Sequence, residues 1–283
     1  MVYLGRKHDF ALERMIFMKK YRLGCIGAGN MGGAILQGAV HCGYAAASDI
    51  AVFDMSEEKR QECRGKGYAT LNSAREVYES CTQLLLAVKP QGCPAVLEDL
   101  GPCQSRPDTV ISIVTGFTTA RLHDALGVKI VRVMPNTPLL LGVGATALCP
   151  GEGVGESELK AVIDLFASMG EAAVIPEDKL NEVIPVNGSS PAFVYYYIDV
   201  LARWAQEQGV DYPTALRLTA KTFEGAARMV LKGDDDPQTL IRKVCSPGGA
   251  TLEGMAALEK GGADKTLRAA ADACVKRAYE LGK

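Results

Sequence analysis

The stretch that most restricts how this chain can fold is "RLGCIGAGNMGGAI", beginning at Arg22. The apolar run Arg22–Ile26 has the composition of a strand. It stops at Gly27-Ala28-Gly29-Asn30-Met31-Gly32, and apolar residues then recur at helical spacing through Met31–Cys42. Glycines permit a tight turn and close helix–strand packing, so the segment reads as the opening of a βαβ unit. That unit commits the chain to a second strand parallel to the first. Further β-rich runs follow at Ile50–Asp54, Leu84–Lys89, Thr109–Val114, Lys129–Met134, Ala145–Cys149 and Ala172–Ile175, with helical patterns at Ser56–Lys66 and Glu156–Met169. Apolar strands alternating with helices predict an α/β fold, a Rossmann-type doubly wound parallel sheet over residues 19–178.

After residue 180 the strands stop. Helices are predicted from Ser190-Pro191 to about Gln208, then over Pro213–Lys232, Pro237–Val244, Thr251–Lys260 and Lys265–Leu281, with Asp236 and Asp264 as start signals. Residues 179–283 thus read as an all-α domain. Its first helix, "AFVYYYIDVLARWA", is apolar nearly all round and should be buried on more than one side. A small bundle built on such a helix would expose much apolar surface alone, which predicts dimerisation through it. Residues 1–18, "MVYLGRKHDFALERMIFM", form an N-terminal extension without a signal peptide's long apolar stretch. No function is assigned to it.

Composition removes several classes of function. Lys plus Arg number 31 against 33 acidic residues, so no net field draws nucleic acid or an acidic membrane. No apolar run approaches the roughly 18–20 residues that a membrane span needs. The nine cysteines include no C-x-x-C pair and are scattered through apolar segments, as in a reduced cytoplasmic protein without disulfides or a metal site.

The glycine motif follows a strand, opens a helix and sits at the start of the first βαβ unit, which raises it above a glycine-rich structural turn. Asp54 ends the second strand, where an acidic group would accept from an adenosine ribose. Together they predict a bound nicotinamide or flavin dinucleotide. Asp54 would repel a 2′-phosphate and favours NADH; Ser56, Lys59 and Arg60 lie just beyond and could bind that phosphate if Asp54 turned away. NADH and NADPH both stay open.

A second motif raises its own question. "RKVCSPGGATLEGMAALEKGG", from Arg242, is helical on both sides of Ser246-Pro247-Gly248-Gly249. A corner between helices is the plain reading. A helix N-terminus preceded by glycines also offers open N–H groups and a partial positive charge, suited to a carboxylate. The three histidines, His8, His41 and His123, all lie outside the helical half. A histidine acid–base acting from that half is therefore excluded. Reducing an imine needs no strong base, only orientation and a hydrogen bond to nitrogen. The loop would supply amides for a carboxylate and hydroxyls for a ring nitrogen.

These residues resemble the pyrroline-5-carboxylate reductase family. "SPGGATLEGMAALE" is similar to the family's signature loop, and "GAGNMGGAI", "AVKPQ", "MPNTP" and "VNGSSPAFVY" agree with it in order and spacing. The resemblance covers residues 19–281. It implies reduction of 1-pyrroline-5-carboxylate to L-proline, the last step of proline biosynthesis, with NADPH or NADH. It implies that Gly27, Ala28, Gly29, Asn30, Met31 and Gly32 hold the pyrophosphate, that Asp54 and Ser56 lie at the adenosine ribose, and that Asn72 also binds the cofactor. Ala87, Val88 and Lys89 would line the cofactor cleft, with Val114 and Asn136 towards the nicotinamide. Glu177, Gly249, Ala250 and Thr251 would bind the substrate, with Thr251 and Ser246 in the catalytic loop. Lys243 stands where relatives often carry an uncharged polar residue. Dimers through the helical domain, and rings of five dimers, are also implied.

Plainer readings stand beside these. Lys89 is then a solvated strand-end lysine, Glu177 a cap on the following helix, Ser246 a turn residue or helix C-cap, and Thr251 an N-cap. Tyr195, Tyr196 and Tyr197 read as core and interface. A β-hydroxyacid dehydrogenase-like enzyme would need a lysine on the first helix of the second domain, and Pro191–Gln208 contains none. A non-enzymatic dinucleotide sensor would be marked by a damaged loop, and this one is intact.

Overall fold

The computed structural model describes residues 21–282; the extension 1–18 lies outside them. Eight strands form one sheet: β1 (Tyr21–Ile26), β2 (Ile50–Phe53), β3 (Ala69–Thr70), β4 (Cys81–Leu86), β5 (Thr109–Ser112), β6 (Lys129–Met134), β7 (Gly144–Pro150) and β8 (Gly170–Val174). Their order is β3-β2-β1-β4-β5-β6-β7-β8. Helices α1 (Asn30–His41), α2 (Glu57–Gly65), α3 (Ala74–Ser80), α4 (Cys93–Leu100), α5 (Thr119–Leu126) and α6 (Glu156–Ala167) connect them.

Both faces are covered. On one, Ile35 and Leu36 of α1, Cys63 of α2 and Val162, Leu165 and Phe166 of α6 pack on Leu23, Val52, Leu85 and Val131. On the other, Val77 and Tyr78 of α3, Leu97 of α4 and Leu122 of α5 pack on Leu84, Leu86, Val110 and Ile130. Strand residues thus alternate between two cores, and the near-continuous apolar runs follow from that. Burial pushes the thiols of Cys93, Cys103 and Cys149 up to about 11, so they stay protonated.

The sheet corrects one expectation. Pairing is parallel from β3 across to β6, but β7 runs antiparallel to β6, and β8 follows β7 in parallel. Between β6 and β7 lies only a 3₁₀ turn, Thr137–Leu141. A parallel return needs a longer crossover, so the chain reverses instead. The short elements β3, α3, α4 and α5 were not read from the sequence, and β4 begins three residues earlier and ends earlier than its expected run.

The described residues divide into two compact units, one from 189 to 274 and the other comprising the residues before and after it. The first of these contains α7 (Ser190–Glu207), α8 (Tyr212–Lys232), α9 (Pro237–Val244), α10 (Ala250–Lys260) and most of α11 (Ala263–Leu281). Asp211 and Asp236 cap α8 and α9 by accepting from Thr214 N–H, and from Gln238 and Thr239 N–H. The position before α7 is Ser189 rather than Ser190, and its side chain makes no capping bond. The end of α11 belongs with the sheet, where Arg121 donates to the Gly282 carbonyl.

Burial in α7 differs from expectation. Only Ala202 is buried in the chain by itself, while Tyr196 is 67% and Trp204 59% exposed. The apolar circumference is real, but this chain does not cover it. Among the described residues no helix is long and apolar enough to cross a membrane.

Candidate active site

The order of strands reverses between β1 and β4, and the glycine loop sits at that switch point, where open α/β sheets bind ligands. Gly27 has φ +95°, and a Cβ there would stand 2.6 Å from the Ala87 carbonyl oxygen. A Cβ on Gly32 would meet the Gly27 carbonyl at 2.2 Å. Only glycine lets the loop lie against Ala87 and Val88 and the helix against the loop. At Gly29, by contrast, nothing lies within 4 Å of where a side chain would project. Gly29 is the N-cap of α1, no side chain closes the first turn of Asn30 and Met31, and no acidic residue sits there. Open amides, open space and a positive helix end fit a pyrophosphate.

Asp54 joins this cradle. Its Oδ2 accepts from Ala28 N–H at 2.7 Å and its Oδ1 from Ser56 N–H at 2.9 Å. Ser56 then caps α2, its hydroxyl accepting from Lys59 N–H. Lys89 is exposed, just before the 3₁₀ turn Pro90–Gly92, and has no ion-pair partner among the described residues. Asn72 follows the C-terminal end of β3, its backbone and side-chain N–H groups donating to Glu76. Val114 is buried in the core, leaving its side chain no free face.

Asn136 is buried with both ends of its side chain engaged. Its Oδ1 accepts from Ala145 N–H at 2.9 Å, and its Nδ2 donates to the Asn187 carbonyl at 3.2 Å. Asn187, in the π-helical turn Ile184–Gly188, donates through Nδ2 to the carbonyls of Met134 at 2.7 Å and Ala145 at 3.1 Å. It adds a rung beyond the last β6–β7 pair, Met134 with Ala147. Its Oδ1 is buried without a partner among the described residues.

Glu177 does not cap the helix that follows it. Its carboxylate accepts from Thr119 N–H and Thr119 Oγ1–H, each at 2.6 Å, and faces Arg132 at 3.5 Å. Arg132 is 2% exposed and also donates to Asn181 at 3.0 Å. Burial pulls its pKa below the usual guanidinium value, and Glu177 opposes that pull. The cluster ties the segment after β8 to the start of α5 and to the middle of β6. Its sequence signal was the arginine inside the strand "KIVRVM", since a charged residue at a buried strand position needs a partner. Nothing nearby in sequence pointed to Glu177 or Thr119 as that partner.

The glycine loop of the helical unit is an ordered turn. Gly249 N–H donates to the Ser246 carbonyl at 2.9 Å, with Pro247 and Gly248 (φ +71°) at the centre. A Cβ at 249 would lie 2.5 Å from Ser246 Oγ and 3.0 Å from the Ser246 carbonyl oxygen, so a side chain there would have to displace the Ser246 hydroxyl. Gly249 is the N-cap of α10, without a side-chain cap. Thr251 is therefore the second residue of the helix and not its cap, which corrects the plainer reading. It is exposed, and its hydroxyl has no hydrogen-bond partner among the described residues. Lys243 pairs with Asp235 at 2.5 Å within the same unit.

Residues 177–281 match the family model described as pyrroline-5-carboxylate reductase dimerisation, and residues 22–116 the one described as NADP oxidoreductase coenzyme F420-dependent. A pyrroline-5-carboxylate reductase of Methanosarcina acetivorans is 34% identical over 94% of this chain and 100% of its own length. One from Escherichia coli is 35% identical over 93% of this chain and 98% of its own. The chain belongs to the pyrroline-5-carboxylate reductase family. Among solved structures, a pyrroline carboxylate reductase of Plasmodium falciparum with NADP bound superposes with a TM-score of 0.84 at 29% identity, covering 94% of this chain and 100% of that one. A pyrroline-5-carboxylate reductase from Coxiella burnetii gives 0.83 at 32% identity, over 93% and 99%.

Proposed function

We propose that the chain reduces 1-pyrroline-5-carboxylate to L-proline, the last step of proline biosynthesis, using NADPH or NADH. When bound, the reduced nicotinamide supplies the hydride for the C=N carbon. The observation that carries the reading is the uncapped start of α10: a glycine turn closed by Gly249 N–H, an Ala250 amide that meets no side-chain cap, and a Thr251 hydroxyl without a partner among the described residues. The Ala250 amide, with Gly249 leaving room beside it, holds the substrate carboxylate at the positive end of the helix. The Thr251 hydroxyl donates to the ring nitrogen and stabilises the charge that develops there. Ser246 shapes the turn and presents a second hydroxyl beside it. A cyclic imine is partly protonated near neutral pH, so positioning replaces a strong acid–base group.

The dinucleotide lies on Gly27–Gly32, with Asp54 and Ser56 at its adenosine ribose and Ala87–Lys89 along the cleft; Asn72, Val114 and Asn136 complete the assigned cofactor positions. Glu177 contributes to substrate binding by holding the start of α5. Residues 19–178 act as the cofactor domain and 179–283 as the substrate and dimerisation domain. Exposed Tyr195, Tyr196 and Trp204 support a homodimer through the helical unit, the building block of a decamer of five dimers. The enzyme works in the cytoplasm.

Purified protein mixed with 1-pyrroline-5-carboxylate and each reduced cofactor, followed at 340 nm, tests the reaction. Absorbance loss that depends on both components is expected. Cofactor binding without turnover would leave a dinucleotide-binding protein instead.

A further inference from the structure

We propose that Asp54 excludes the 2′-phosphate, making NADH rather than NADPH the preferred reductant of this chain. The proposal rests on reading the glycine loop as the dinucleotide site. It runs against the relative solved with NADP bound and against the name of the model matched over 22–116.

The sequence left one escape open, that Asp54 turns away and Ser56, Lys59 and Arg60 take the phosphate. The structure makes that rearrangement costly. Both carboxylate oxygens are held, by Ala28 N–H at 2.7 Å and Ser56 N–H at 2.9 Å. Turning away would break both bonds and strand an amide inside the pyrophosphate loop. Fixed there, a carboxylate can accept from a ribose hydroxyl but repels a phosphate carrying about −1.5 to −2 charges.

The neighbouring cations do not offset it. Lys59 donates to both oxygens of Glu62, at 3.0 and 2.9 Å. Arg60 pairs with Glu57, donates to the Asp54 carbonyl and lies over the Phe53 ring. Arg64 pairs with Glu57 at 2.8 Å and donates to Thr70 at 2.7 Å. Exposed ion pairs of this kind break easily, so they alone would not decide the matter. However, a phosphate recruiting Arg60 would leave Glu57, which sits with Glu58 in the first turn of α2, with Arg64 alone as its partner. Between 54 and 64 there are four carboxylates and three cations. The local balance is negative where NADPH would need it positive.

The test measures dissociation constants of NADH and NADPH on the full chain without substrate, by fluorescence titration at low and at physiological salt. Wild-type protein should bind NADH at least about tenfold more tightly, roughly 1.4 kcal/mol. The gap should narrow as salt rises, because repulsion between partly exposed charges is screened. Asp54→Asn removes the charge and keeps one oxygen acceptor, so only one of the two amides retains its bond. It should bind NADPH about tenfold more tightly and NADH a few-fold more weakly, since a neutral acceptor makes the weaker bond. Equal or tighter NADPH binding by the wild type overturns the proposal, as does a preference for NADH that Asp54→Asn leaves unmoved. Should that variant not fold, the wild type's preference between 5′-AMP and adenosine 2′,5′-bisphosphate, with its salt dependence, decides. Failure to bind either dinucleotide would instead overturn the reading of the loop itself.

Discussion

In the sheet unit Leu23, Ile35, Leu84 and Phe166 are each 1% exposed or less, whereas in the helical unit Tyr196, Trp204 and Leu231 keep more than half of their surface. Helices α9 and α10 contain no buried residue at all. The polar groups divide in the same way. Asp54, Asn136 and Glu177 of the sheet unit have their side-chain oxygens engaged within the chain. The Thr251 hydroxyl has no partner among the described residues. An apolar patch this large on a folded unit marks an interface. The sheet unit covers its apolar interior within the chain, while the helical unit leaves apolar faces and the Thr251 hydroxyl uncovered among the described residues.

The sharpest break of that contrast is a charge placed on the exposed stripe of α7. Trp204→Asp should weaken the dimer by at least about 3 kcal/mol, more than a hundredfold, in the range of a buried aromatic anchor. Light scattering should then find single chains, with the affinity for dinucleotide retained. A variant that keeps its dimer mass and melting temperature would show that this face is solvent in the working protein.

Inside the sheet unit the corresponding break is Glu177→Ala. It strands Arg132 in a buried position and unties the Thr119 amide and hydroxyl together. We expect a loss of about 3 kcal/mol in urea unfolding, the lower end for a buried pair because Glu177 itself is partly exposed. A raised KM for 1-pyrroline-5-carboxylate with unchanged stability would assign Glu177 to the substrate alone and erase the difference between the units at this residue.

Much of this division was legible in the sequence, and the reasons differ by region. Strands β1, β2 and β6 announce themselves because their apolar runs end at Gly27, Asp54 and Pro135, and the helical half because its periodicity is long and capped. The missed helices α3, α4 and α5 span only two turns, too short for a period to stand out, although Ser73 and Thr118 cap two of them. Strand direction leaves no mark in composition, so the reversal at β7 had to come from its short connection. The glycine loop could be placed at a ligand from spacing alone. Its bond from Ala28 to Asp54 joins residues 26 apart, and no local pattern encodes that. The same holds for Glu177, whose partners lie 45 and 58 positions away.

The smallest expected change in stability accompanies a large one in turnover, and it bears on the helical unit's unfinished half. Thr251→Val keeps the shape of the side chain and removes its hydroxyl. Were Thr251 the helix cap, the loss would cost about 1 kcal/mol of stability. Gly249 holds that position and Thr251 has no partner among the described residues, so stability should move by less than about 0.5 kcal/mol, as at an ordinary surface site. If the hydroxyl donates to the substrate nitrogen as charge develops there, its removal forfeits roughly 1.5–3 kcal/mol. The value of kcat/KM for 1-pyrroline-5-carboxylate should then fall about 10- to 150-fold. Affinity for the reduced cofactor should be unaffected, because Gly27–Gly32 belong to the other unit. A variant that melts lower yet turns over normally would give the hydroxyl a structural role within its own unit, and the polar half of the contrast would fail.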